Sequence, residues 1–223
     1  MVDSFSTDQT EELCRKFDVK FIQHKFEGHI QQKNWAKDQA NHNFVLSLDA
    51  DEALSDDLKE NIRQLKQRGF DIDGYTMNRL TNYCGKWIKH TAWYPDVKLR
   101  LFNRANGAWG GINPHDEFLL IKGSSKQHLK GDLLHYSFYT AEEHLTQITK
   151  FSTIGAKALY EKGTRSNWLK IIVKPIARFF KNYIVRMGFL DGKEGFIISR
   201  YSAHANYLKY QKLLKLQKGI EID

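Results

Sequence analysis

Asp49 and Asp51 stand two residues apart, directly after a run reading Asn-Phe-Val-Leu-Ser-Leu from Asn43 to Leu48. If strand geometry continues through them, both carboxylates project from the same side of the backbone. Two carboxylates so placed can hold one Mg²⁺ or Mn²⁺, whose remaining positions go to the oxygens of a diphosphate. The ion would neutralise charge gathering on a departing nucleotide diphosphate. A second use stays open: these acids could simply favour the N-terminus of the helix that follows. The apolar strand before them favours the first use, because open α/β sheets bind ligands beyond the C-terminal ends of their strands.

Elements to position such a pair are legible on either side. Met1-Val2-Asp3 reads as the end of a strand, and Ser6-Thr7-Asp8 as a helix N-terminus, with Glu11 placed to close a capping box with Asp8. Val19–Ile22 is a short strand and Ile30–Ala40 a helix. The 43–48 run is largely apolar on both faces, which predicts a covered strand of parallel type. Leu58, Ile62 and Leu65 form the stripe of the next helix, with Gly69 as its C-cap. Strands follow over 74–78, 97–102 and 129–136. From Ala141 to about Lys218 the pattern is helical. Alternating β and α units at the start favour an α/β sheet, and the change of style near residue 140 divides a core, 1–140, from a helical appendage, 141–223.

Composition narrows the classes. A chain of 223 residues has room for one large domain, or one domain and a small appendage. Its 41% hydrophobic content supports a real core, and 27% charge without long like-charge blocks argues against wholesale disorder. Two distant cysteines, Cys14 and Cys84, exclude a disulfide framework and a cysteine-rich zinc site, and suit a reducing cytosol. The opening residues lack the basic start and apolar run of a secretory signal. No stretch approaches the roughly 20 apolar residues of a membrane span, so a soluble or peripheral protein is expected. The net charge of +8 favours anionic partners. Nucleic acid is one such class, yet no recognised binding motif accompanies the charge, and an acidic strand end repels phosphate unless a metal intervenes. From Arg165 to Phe189, Trp168, Ile171, Ile172, Val173, Ile176, Phe179, Phe180, Tyr183, Ile184 and Val185 interleave with Lys170, Lys174, Arg178, Lys181 and Arg186. A basic amphipathic helix of this kind suits an anionic membrane surface. Its apolar side could equally pack on the core. Pro175 is expected to kink or split it.

Taken in order, these residues resemble family-2 inverting glycosyltransferases of GT-A fold, closest to the lipopolysaccharide core sugar transferases of β-1,4-glucosyltransferase type. Val2-Asp3-Ser4-Phe5-Ser6-Thr7-Asp8 resembles the family's segment after its second strand. Lys33-Asn34-x-Ala36 is similar to its basic helix motif, and Leu48-Asp49-Ala50-Asp51-Glu52 to its metal motif. Trp93-Tyr94-Pro95-Asp96-x-Lys98-x-Arg100-Leu101-Phe102, Trp109-Gly110-Gly111 and His115-Asp116-Glu117 resemble the acceptor-side half. Leu133-Leu134-His135-Tyr136-Ser137 and Gly188-Phe189-Leu190-Asp191-Gly192 extend the match over nearly the whole chain.

The resemblance implies an α/β, Rossmann-like mixed sheet with flanking helices and a helical C-terminal appendage. It implies transfer of a hexose from a nucleotide diphosphate sugar, UDP-linked in the simplest case, to a lipopolysaccharide core or other lipid-linked saccharide. Mg²⁺ or Mn²⁺ would be held by Asp49, Asp51 and His135, although a lone histidine in an apolar strand is often structural. Asp3 would lie near the base or ribose and Lys33 near the diphosphate. Gly110 and Gly111 would let backbone approach the donor sugar, unless they merely form a turn. Asp116 would be the general base, with Glu117 the alternative, since the family usually has Glu directly after the motif histidine. Trp93, Tyr94 and Trp109 could stack on a sugar ring or bury in a core. The expected location is the cytoplasmic face of the inner membrane. The family also has a strand, a helix and a "T-x-N-E" segment before Val2, which are expected to be missing here. That leaves an inactive remnant, or a basic binder of nucleic acid or anionic surfaces, as the alternative reading.

Overall fold

The computed structural model describes residues 1–112 and 115–222. In chain order the elements are β1 (Val2–Asp3), α1 (Thr10–Arg15), β2 (Ile22–Gln23), α2 (His29–Asp38), β3 (Phe44–Leu46), β4 (Glu52–Leu54), α3 (Asp56–Arg68), β5 (Gly74–Tyr83), β6 (Lys86–Ile88) and β7 (Asp96–Asn103). Then come β8 (Gly107–Ile112), β9 (His115–Leu120), β10 (Lys126–Phe138), α4 (Ala141–Glu161), α5 (Trp168–Phe180) and α6 (Gly192–Gln217). A π-helical turn, Lys181–Val185, and a 3-10 turn, Gly188–Asp191, join α5 to α6. Strands β3, β7, β5, β10 and β4 hydrogen-bond in that order, with β6 added to β5. Strands β1 and β2 pair in parallel, and β8 and β9 form an antiparallel pair. This mixed sheet with flanking helices and a helical C-terminal part is the GT-A-type arrangement that the resemblance implies.

The chain groups into two units. The first comprises Met1–Ala50, Leu54–Asn78 and Val97–Asp132; the second comprises Asp51–Ala53, Arg79–Asp96 and Leu133–Asp223.

In the first unit, α2 and the β8–β9 pair enclose a small aromatic core. Phe102 and Phe118 stack with ring centres 3.5 Å apart, Trp109 meets both edge-on, and Ile30, Val45, Leu99 and Leu120 fill the surround. Helix α3 begins as its sequence dictates: Ser55 caps Leu58 N–H, and Leu58 and Leu65 are buried. Two expectations change here. Strand β3 pairs antiparallel with β7, Val45 opposite Phe102 and Leu46 opposite Leu101, where the apolar run predicted a parallel strand. A run apolar on both faces reports burial and does not fix strand direction. The first helix starts at Thr10: Asp8 accepts from Thr10 N–H and Oγ1, and Glu11 pairs with Arg15, so the box between Asp8 and Glu11 does not form.

The second unit is organised around Tyr83, Ile88, Phe138 and Ile198, with Trp93 and Ile197 packed against them. Thr140 and Glu143 form a full capping box that starts α4. Helix α5 runs unbroken through Pro175 to Phe180, and the irregularity comes later, in the π turn. On one side Ile171 is buried, and Phe179 and Tyr183 meet Phe196 of α6 at 5.8 and 5.7 Å. On the other, Trp168, Leu169, Ile172, Ile176 and Phe180 are exposed. The segment Gly188–Gly192 works as a clasp. Asp191 is buried, accepts from Lys89 N–H and His90 N–H, and meets His90 Nδ1 at 3.0 Å. A Cβ on Gly195 would lie 1.9 Å from the Gly188 carbonyl oxygen, so the start of α6 tolerates only glycine there. Among the described residues, no helix is long and apolar enough to cross a membrane.

Candidate active site

The first unit assembles a chain of alternating charges. The ladder between β3 and β7 continues through Ser47 N–H to the Arg100 carbonyl at 2.8 Å, which carries Asp49 alongside the Arg100 side chain. Arg100 Nη2 then meets Asp49 Oδ2 at 2.8 Å. Lys33 Nζ reaches Asp49 Oδ1 and Asp116 Oδ2, each at 2.8 Å. The order is Arg100, Asp49, Lys33, Asp116. Burial pushes the Asp49 carboxyl up, but Arg100 and Lys33 outweigh it and hold the group below the ordinary carboxylate range.

Helix α2 supplies both Lys33 and the device that fixes its surroundings. Asn34 Nδ2 donates to the Trp109 carbonyl and its Oδ1 accepts from Trp109 N–H, both at 2.9 Å. That pair of hydrogen bonds to the backbone of one residue sets β8 against α2. Lys33 Nζ lies 4.7 Å from the centre of the Trp109 ring and the Arg100 guanidinium 5.5 Å from it. Trp109 is buried, so it serves as core and as a wall for two cations; it does not offer a face to a sugar.

Gly110 stands opposite Glu117 and Gly111 opposite Asp116. A Cβ on Gly110 would press within 2.7 Å of Leu119 Cδ1, so its absence lets this side chain lie over the strand. Gly111 adopts φ 100°, in the region that favours glycine. Alternation along β9 separates the two acids: Asp116 is tied to Lys33, while Glu117 is exposed. A groove of about 460 Å³ is lined by both, with Arg100, Trp109, Lys98 and Thr76. Asp3 lies at the end of β1, buried, with Ser6 N–H donating to Oδ2 at 2.9 Å and Ser6 Oγ to Oδ1 at 2.5 Å. The Ser6 hydroxyl is the main reason its carboxyl is held low, against the effect of burial.

The second unit holds the other predicted residues. His135 Nε2 lies 3.2 Å from Asp51 Oδ2, and Tyr136 N–H donates to the Asp51 carbonyl at 2.9 Å. His135 Nδ1 faces Thr81 Oγ1 at 3.5 Å, which orients the ring with Nε2 outward. Beside them Arg79 binds Asp96 Oδ2 through Nη2 at 2.7 Å and Nε at 3.0 Å, and its Nη1 lies 3.7 Å from Glu52. A cleft of about 270 Å³ is lined by Arg79, Thr81, Trp93, Asp96 and His135.

A carboxylate oxygen and an imidazole nitrogen converging at this distance are two donors of the kind a divalent ion takes. The mixed oxygen and nitrogen set suits Mn²⁺ better than Mg²⁺, which favours oxygen alone. Among the described residues no three His, Cys, Asp or Glu side chains gather around one point. An ion held here would therefore complete its shell with ligand oxygens and water.

The sequence reading named Asp3, Lys33, Asp49, Asp51, Gly110, Gly111, Asp116, Glu117 and His135. Structure joins Lys33 with Asp49 and Asp116, and Asp51 with His135. It adds Arg100, Asn34 and Arg79. Arg100 was visible as the charged end of the alternating run Lys98-Leu99-Arg100 in a strand, where a cation facing a core calls for a buried partner. Asn34 stood in the Lys33-Asn34-x-Ala36 motif, but its residue type alone did not give its partner, the Trp109 backbone.

The chain is similar to known proteins along most of its length. A family model described as glycosyl transferase family 2 matches residues 1–160. An uncharacterised glycosyltransferase of Rickettsia conorii is 27% identical over 228 residues, covering 96% of this chain and 79% of the relative. A lipopolysaccharide core biosynthesis glycosyltransferase of Rhizobium meliloti, LpsC, is 26% identical over 218 residues, covering 96% of this chain and 81% of the relative.

Proposed function

The chain belongs to glycosyl transferase family 2, and on that premise we propose that it moves a hexose from a UDP-linked donor to a lipopolysaccharide core or other lipid-linked saccharide, inverting the anomeric carbon. The observation that carries this reading is the Lys33 ammonium bridging Asp49 and Asp116 in the first unit, with Asp116 on the wall of a groove.

Asp116 is the general base. It takes the proton of the acceptor hydroxyl as that oxygen attacks the anomeric carbon, and the bond to the diphosphate breaks in the same displacement. Glu117, exposed and without the Lys33 contact, is the weaker candidate. Lys33, matched to two carboxylates, is a cation for which an incoming diphosphate competes. Arg100 keeps Asp49 ionised and oriented. Gly110 and Gly111 bring bare backbone close to the donor sugar, and Asp3 receives the nucleoside. In the second unit, Asp51 and His135 would hold Mg²⁺ or Mn²⁺. The ion would supply charge neutralisation on the leaving diphosphate.

The name of the Rhizobium relative supports the acceptor class. The exposed stripe of α5, with Lys170, Lys174 and Lys181 beside it, supports peripheral binding to an anionic membrane on the cytoplasmic side. The test is transfer from UDP-hexoses to truncated lipopolysaccharide acceptors, with the product anomer read by proton NMR. An inverted product lost in Asp116→Asn supports the reading. A retained configuration, or transfer insensitive to that change, refutes it.

A further inference from the structure

The second unit contains another cavity, about 420 Å³, between α4, α5 and α6 and roofed by Thr91, Ala92 and Trp93. Among the described residues no carboxylate lines it, whereas Arg178 and Lys209 do. Lys209 is partly buried. Burial, and then the charges of Arg178 and Lys174, push its ammonium below the ordinary lysine range. Like charges brought together repel one another until an anion joins them.

Independent features of the same cavity also point to a ligand. Asn182 is 3% exposed, lines the cavity, and its Oδ1 has no hydrogen-bond partner. An orphaned polar atom of this kind is costly until a ligand group meets it. Asn182 belongs to the π-helical turn, a deviation that recurs at functional sites. Thr91 and Ala92 are consecutive non-glycine residues with φ 61° and 73°, a conformation kept only where the surroundings enforce it. Gln147 and Asn206 add amide groups, and Trp93 adds a partly buried apolar face. Cations with amides and one aromatic wall match a phosphate attached to a sugar ring. Ala92 and Trp93 also line the cleft that contains His135 and Asp96, so the two cavities share a wall.

We propose that this cavity binds a phosphate group carried on the saccharide acceptor, with Arg178 and Lys209 as its charge partners and Asn182 as a hydroxyl acceptor. The ligand's status as acceptor rests on the transferase reading given above. The experiment is titration calorimetry of the full chain with glucose 6-phosphate, glucose and inorganic phosphate, repeated for R178Q and for R178Q/K209Q. UDP with Mn²⁺ is titrated in parallel, and circular dichroism checks folding. Arg178 is exposed, so R178Q keeps a folded reference even if the double variant does not.

Glucose 6-phosphate is expected to bind at least about tenfold more tightly than glucose or inorganic phosphate, and to weaken at least about tenfold in the double variant, with an intermediate loss in R178Q. UDP affinity with Mn²⁺ should stay unchanged in both variants. Failure of glucose 6-phosphate to bind while UDP binds overturns the cavity proposal and spares the transferase reading. Equal binding of inorganic phosphate marks a site for the free ion and overturns the assignment to an acceptor. Sugar-phosphate binding without any UDP binding supports the cavity and removes the transferase reading.

Discussion

At the residue scale, the chain of charges from Arg100 to Asp116 separates two acids that sequence leaves equivalent. Asp116 has a cation at 2.8 Å that fixes one oxygen, and Glu117 lies exposed on the next position of the strand. Asp116→Asn should lower kcat by about 10²–10⁴-fold, and Glu117→Gln by only a few-fold. Steady-state transfer rates decide, and equal losses would contradict the assignment. A second residue-scale prediction concerns His144. Burial lowers its pKa to about 4, and its Nδ1 meets Tyr83 Oη at 3.2 Å. The unfolded chain binds this proton near the ordinary value of 6.5 and the folded chain only near 4. Stability is therefore unaffected above about pH 6.5 and falls as pH drops from there to 4, by about 3 kcal/mol. Asp3 and Asp49 are held below 3.8, so their stabilisation is lost beneath that window. Urea midpoints between pH 4 and 7 should slope in the native protein and flatten in His144→Gln. An unchanged slope would place the titration elsewhere.

At the scale of elements, Asn34 couples α2 to β8 through two hydrogen bonds to the backbone of Trp109. Asn34→Ala should cost about 1–3 kcal/mol and speed hydrogen exchange at the Trp109 amide. Loss of stability without faster exchange there would deny the coupling. Helix α5 divides its apolar residues between a face on α6 and an exposed stripe. Ile172→Asp with Ile176→Asp should cut binding to vesicles of anionic lipid by about tenfold or more while leaving the fold intact. Undiminished binding in vesicle sedimentation would remove the membrane role.

Much of this was legible from residue types alone. The stripe of α3 and the helical run from Ala141 follow from local pattern, because one apolar helix face decides them. The acids and His135 were legible as chemistry. Their partners were not. Lys33 joins Asp49 and Asp116 across separations of 16 and 83 positions, and strand pairing alone sets Arg100 beside Asp49. The short strands β4, β6, β8 and β9 escaped notice for the same reason: cross-strand contacts hold them, and their own sequences carry little alternation.

For the molecule as a whole, two units each hold part of the predicted set: Lys33, Asp49 and Asp116 in one, Asp51 and His135 in the other. A net charge of +8 suits both an anionic donor and an anionic surface. The family assignment rests on a match over residues 1–160. What remains to be measured is whether Asp51 and His135 turn that inheritance into metal-assisted nucleotide binding. Calorimetric titration of UDP with and without Mn²⁺ addresses this directly. UDP should bind at least about tenfold more tightly with the ion, and Asp51→Ala should erase the difference. Equal affinity with and without Mn²⁺, or a difference that survives Asp51→Ala, would contradict the account.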